Sequence, residues 1–118
     1  MAKDCYGVVV YKILLYLYAC LKRRILFDKA VFRKAIGGEA VNEEYLVNIF
    51  RMMQEGGLIE GGVFTHAWGD TYILTSEESD FRITAAGIEY LEENDKMKKI
   101  GHFLMDRMDF IAGLISLV

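Results

Sequence analysis

Asn48 and Arg51 stand three residues apart in a stretch of helical periodicity, so their side chains leave one helix face. An Asn amide can hold adenine, and an Arg guanidinium guanine, each through a pair of hydrogen bonds. The two residues are therefore a candidate base-reading set. Phosphate contacts would come from Lys22, Arg23, Arg24, Lys29, Arg33 and Lys34. Against this chemistry, Glu43, Glu44 and Glu55 flank the reading pair, and no Lys or Arg occurs between Leu58 and Phe81. Neutralised phosphates supply most non-specific affinity, and three or four contacts per protomer give a salt slope of only about −3 to −4. A lone protomer is thus expected to bind DNA weakly, and a dimer would double the count.

No other residues make a recognisable reaction centre. His66 and His102 stand apart from any Ser or Cys in a nucleophile pattern, and no glycine-rich phosphate loop follows a strand. Cys5 and Cys20 lie fifteen residues apart with no C-x-x-C pair, which suits thiols in a reducing cytoplasm and gives no zinc spacing. The reading is a non-enzymatic protein with no cofactor and no metal. His66, Trp68 and Tyr72 could form either a small aromatic site or a packing cluster within a hairpin.

The elements that would position these residues follow from periodicity and caps. Residues 6–23 are apolar nearly all round, as in a central buried helix. Asp28 suits the cap of a short helix over Lys29 to Ile36, stopped by Gly37-Gly38. Asn42 suits the cap of a third helix, whose core stripe is Leu46, Ile49, Phe50 and Met53 and whose stop is Gly56-Gly57. Val63–Trp68 and Thr71–Thr75 read as strands joined by a Gly69-Asp70 turn. An acidic loop follows at 76–80, then a fourth helix over 85–94 capped by Thr84. Residues 96–117 read as one long helix. The expected fold is mainly α with a small β-hairpin (α+β), a winged helix-turn-helix over 1–95 with a C-terminal helix at 96–118. The third helix takes the recognition position and the hairpin is the wing.

Composition sets the class. At 118 residues the chain fits one domain, and its hydrophobic share of 53 % asks for a rich core or a covered apolar surface. The net charge of −3 conceals segregation. Residues 1–36 carry eight bases against two acids, residues 37–95 two bases against thirteen acids, and residues 96–118 four bases against two acids. Met1 to Asp4 lacks a basic leader segment, and the apolar run from Val8 to Leu21 is broken by Lys12 and is too short to span a bilayer. A membrane role is not expected.

The stretch Ile83-Thr84-Ala85-Ala86-Gly87-Ile88-Glu89-Tyr90-Leu91-Glu92-Glu93-Asn94 resembles the YjcQ-like winged-helix family of Gram-positive bacteria and their prophages. That family has a similar L/I-T-x-x-G-x-x-Y-L-x-x-N segment after its wing. Leu58-Ile59-Glu60-Gly61 resembles its approach to the wing, and the similarity covers residues 10–100. The motif's physics is structural: Thr84 caps, Ile88 and Leu91 pack inward, and Gly87 permits close helix packing. The resemblance implies the winged-helix fold and a bacterial or prophage setting, and brings no catalytic residue.

The last helix bears on partners. Ile100, Leu104, Met108, Ile111, Ile115 and Val118 recur at intervals of four and three, a coiled-coil type of seam. Phe103, Phe110, Leu114 and Leu117 form a second stripe. One stripe can pack on its own protomer while the other builds a homodimer; both buried within one chain is the plainer alternative. The expected function is a regulatory or assembly protein, a protein-interaction module acting as a homodimer, with a DNA-binding transcriptional regulator as the alternative.

Overall fold

The computed structural model describes residues 5–94. The helix expected over 96–117, its seam from Ile100 to Val118 and the boundary between 1–95 and 96–118 lie outside the described residues. The chain is mainly helical with two small antiparallel strand pairs, an α+β fold.

Helix α1, Tyr6–Leu21, is the centre of the packing, and Val9, Ile13, Leu14 and Tyr16 on it are almost wholly buried. Its apolar character around the whole circumference lets it receive helices and strands from several sides. α1 ends two residues before the expected Arg23. Arg23 enters the left-handed region at φ 61, its N–H bonds the Cys20 carbonyl, and the Arg24 N–H reaches the Ala19 carbonyl. This is the Schellman closure that glycine usually makes, and an L side chain there costs about 1 kcal/mol.

Helix α2, Lys29–Ile36, begins at Asp28, whose carboxylate accepts the Val31 N–H, and buries Phe32 and Ile36. A 3-10 turn over Gly38–Ala40 leads to helix α3, Glu43–Glu55. The Asn42 side chain caps α3 by accepting the Tyr45 N–H, while Leu46, Ile49, Phe50 and Met53 face the core.

The strands form one long hairpin with an interruption. Strands β1, Ile59–Glu60, and β4, Arg82–Ile83, pair at its base. Strands β2, Phe64–His66, and β3, Tyr72–Leu74, pair beyond it in the register Phe64↔Leu74, Thr65↔Ile73 and His66↔Tyr72. Between the two ladders the outgoing chain uses residues 61–63 and the returning chain residues 75–81. The surplus on the return bulges out as a 3-10 turn over Glu78–Asp80. Gly61 and Gly62 make the crossing possible: a Cβ on Gly61, at φ +98, would strike the Asp80 carbonyl, and one on Gly62 would enter the Phe81 ring.

An unbroken run of rings joins helices to hairpin. Tyr16, Phe27, Phe32, Phe50, Phe81 and Phe64 contact in succession, with centroid separations of 4.6 to 6.2 Å. Tilted, edge and stacked contacts of this kind add to burial, so hairpin and helices share one core. Helix α4, Ala85–Glu93, then returns onto α1. The Thr84 hydroxyl caps it by accepting the Gly87 N–H, and Gly87 sits hard against the Leu58 carbonyl and the Ile83 and Leu14 side chains. Among the described residues no helix is long and apolar enough to cross a membrane.

Candidate interaction face

Three side-chain devices fix the hairpin against the helices. Gln54, near the end of α3, clamps the backbone of Gly62: its Nε2 donates to the Gly62 carbonyl at 2.9 Å and its Oε1 accepts the Gly62 N–H at 2.8 Å. Arg51, one turn earlier, lays its guanidinium over the Tyr72 ring at 4.3 Å and pairs with Glu55 at 3.0 Å. Arg33 on α2 forms the third device, and the strongest. Its Nε and Nη2 donate to the Glu78 carboxylate, while Nη1 and Nη2 donate to that of Glu43. All three guanidinium nitrogens are therefore engaged by two carboxylates, one from the interrupting turn and one from the first turn of α3. Glu78 is the one buried charged residue in the described core, at 6 % exposure. Hydrogen bonding first to Glu78 and then to Glu43 pushes the Arg33 pKa further up, and the bond from Arg33 in turn holds the Glu43 carboxyl below its ordinary range.

These contacts bear on two sequence expectations. Arg51, expected to point outward and read bases, lies between α3 and the hairpin with only 26 % of its side chain exposed. Its Nε is buried with no hydrogen-bond acceptor, consistent with its seat above an aromatic ring rather than a polar surface. Arg33, expected at a phosphate, is consumed by Glu43 and Glu78. Asn48 is half-buried on α3. Lys22, Arg23, Arg24, Lys29 and Lys34 are exposed, with the Lys22 ammonium 4.2 Å from the Tyr18 ring centre. The expected phosphate set thus divides into the α1 end and the α2 surface, and only Lys29 and Arg33 reach the face shared by α3 and the hairpin.

That face holds a cleft of about 390 Å³, within the usual range for ligand sites. α3 contributes Glu43, Glu44 and Val47; the hairpin contributes Thr71 to Leu74 and the Ser76–Glu78 turn; Lys29 and Arg33 close the side. Four carboxylates against two cations make it acidic, and Glu44 and Glu77 take no ion pair among the described residues. The expected aromatic trio is only partly assembled. His66 and Tyr72 are cross-strand partners with ring centres 4.9 Å apart, whereas Trp68 is 94 % exposed at the hairpin tip. A bulge explains the difference. Ala67 and Trp68 both lie opposite Thr71, whose N–H bonds the Trp68 carbonyl while its carbonyl accepts the Ala67 N–H. The tryptophan is thereby turned out of the hairpin's packed face.

The family model of the YjcQ protein matches residues 11–106. The chain belongs to the YjcQ family. No curated protein and no solved structure matches it. In this YjcQ-family chain, sequence reasoning overlooked Glu78 and Gln54, and the contact of Tyr72 with Arg51, as the parts that hold the face together. Glu78 carried no signal that set it apart from its acidic neighbours. Gln54, one turn beyond the core residue Phe50, and the glycine pair at 61–62 were the available hint of a close approach.

Proposed function

We propose that this chain is a non-enzymatic protein-interaction module of winged-helix architecture, acting in the cytoplasm as a regulatory or assembly homodimer, and that its α3–hairpin face receives a protein rather than DNA. The observation that carries the reading is the fate of the face's two arginines. Arg33 and Arg51 are both paired with carboxylates of the same chain, while Glu44 and Glu77 stay open to solvent. Such a face repels phosphate, because DNA affinity starts from neutralised phosphate charge. Dimerisation rests on the periodic apolar seam from Ile100 to Val118.

Fluorescence anisotropy of random duplex DNA at low salt tests the reading. No saturable binding is expected up to about 100 μM, the weak end of non-specific affinities. Tighter binding that Arg51→Ala weakens would overturn it. The DNA-regulator reading keeps one supporting feature, the exposed Lys22-Arg23-Arg24 cluster; binding that depends on those residues alone would revive it. Light scattering tests the dimer: the wild-type chain is expected at twice the protomer mass and a Leu104→Glu/Ile111→Glu variant at once that mass. A monomeric wild type removes the seam.

A further inference from the structure

Among the described residues the outer edge of strand β3 takes no strand partner, and it borders the acidic cleft. The Thr75 N–H bonds the Val63 carbonyl and the Ala67 N–H bonds the Thr71 carbonyl, so the hydrogen-bonded pairs of this ladder are 63/75, 65/73 and 67/71. Pairs alternate along an antiparallel ladder. Tyr72 and Leu74, in the intervening pairs, therefore direct their N–H and C=O groups away from β2, and none of these four groups takes a hydrogen bond among the described residues. Four consecutive residues, Thr71 to Leu74, line the cleft. Alternate side chains of a strand leave by opposite faces, so a run of four can line one cleft only along the strand's edge. The cleft is thus bounded on one side by unpaired backbone donors and acceptors, and on the others by four carboxylates that outnumber Lys29 and Arg33.

We propose that the cleft receives an extended, lysine- or arginine-bearing segment of a protein partner, which adds to β3 as a short strand. Its main chain bonds the Tyr72 and Leu74 amides and carbonyls, and its cationic side chains face Glu44 and Glu77. The inference rests on the protein-interaction reading above and specifies the partner's chemistry. Backbone pairing supplies affinity for any extended chain, and the charges select among them. Charge complementarity decides the occupant. Glu43 and Glu78 share the single positive charge of Arg33, and Glu44 and Glu77 take no ion pair among the described residues, so a cationic segment is attracted and an acidic one repelled. The opposite edge, along β2, offers the same backbone groups, but none of the cleft-lining residues belongs to β2. Open edges invite unspecific pairing, and the carboxylates beside β3 are the kind of charge that restricts it.

The test uses the full chain, ¹⁵N-labelled, titrated with a synthetic peptide that alternates lysine and valine over six residues. Two control peptides accompany it, one with glutamate for lysine and one N-methylated on alternate backbone nitrogens, and duplex DNA replaces peptide in a fourth titration. Saturable shifts are expected at the Tyr72 and Leu74 amides below about 1 mM peptide. Neither the acidic nor the N-methylated peptide should reproduce them. Glu44→Gln and Glu77→Gln, which keep an acceptor at each place, should each weaken binding about two- to fivefold, the range of a partly exposed ion pair. Equal binding by the N-methylated peptide, or shifts confined to other residues, would overturn strand addition. If neither peptide nor DNA binds, the inference falls and the interaction reading stands. If DNA binds at these amides, both fall.

Discussion

Replacing Arg33 with methionine should cost far more than a surface substitution, because it strands a buried carboxylate. Among the described residues Arg33 is the only cation bonded to Glu78, which is 6 % exposed, and removing one partner of a buried pair costs about 3–5 kcal/mol. Arg33 itself is 25 % exposed on its side chain, so water enters beside Glu78 and lowers the cost below that range, to about 2–3 kcal/mol. The bond to exposed Glu43 adds roughly 0.5 kcal/mol. For a domain of this size 1 kcal/mol corresponds to about 4–5 °C, so Arg33→Met should lower Tm by roughly 10–15 °C in a calorimetric or circular-dichroism melt. Pairing the change with Glu78→Gln should recover about 1–2 kcal/mol of the summed single losses, measured as a double-mutant cycle. pH gives a second signature. Arg33 depresses the Glu43 carboxyl below its ordinary value of 4.5, so the folded state is favoured at neutral pH and loses that support as acid titrates through the depressed value. Arg33→Met should flatten this acid limb. A Tm change under about 2 °C, with no coupling to Glu78, would refute the argument and return Arg33 to the surface as a possible phosphate ligand.

Other changes test the packing around this device. Gly87→Ala gains helix propensity but drives a methyl into the Leu58 carbonyl and the Ile83 side chain, so a net loss of about 1–2 kcal/mol is expected by urea denaturation. Arg23→Gly should stabilise by about 0.5–1 kcal/mol in the same assay, since residue 23 sits at φ 61 where glycine is unstrained. Burial pushes the Cys20 thiol up to about 11, so at pH 8 iodoacetamide should label exposed Cys5 while Cys20 stays largely unmodified by mass spectrometry; equal rates would contradict the half-buried site.

Much of the fold was readable because it is local. Asp28, Asn42 and Thr84 announce three helix starts through side chains that reach N–H groups only three residues on, and the β-branched and aromatic runs on either side of Gly69-Asp70 announce the outer ladder. What stayed hidden depends on distance along the chain. The Arg33–Glu78 contact joins residues 45 positions apart, and no period or spacing marks one glutamate of an acidic loop as the buried one. The same holds for the β1–β4 pairing, whose short strands are separated by an irregular insertion. The seat of Arg51 against the hairpin was hidden for a related reason: helical periodicity fixes the face a residue leaves by, and the hairpin beside this face is placed by Gln54 and Phe81, neither of which the period reveals.

Solvent exchange at the arginine Nε–Hε groups, read by ¹⁵N NMR of the full chain with and without duplex DNA, examines the arginines of the α3–hairpin face most directly. Slow exchange of the Arg33 proton at neutral pH, with its shift and that of Arg51 unmoved by DNA, is the expected result. Rapid exchange at Arg33, or shifts at both arginines on adding DNA, would contradict the account.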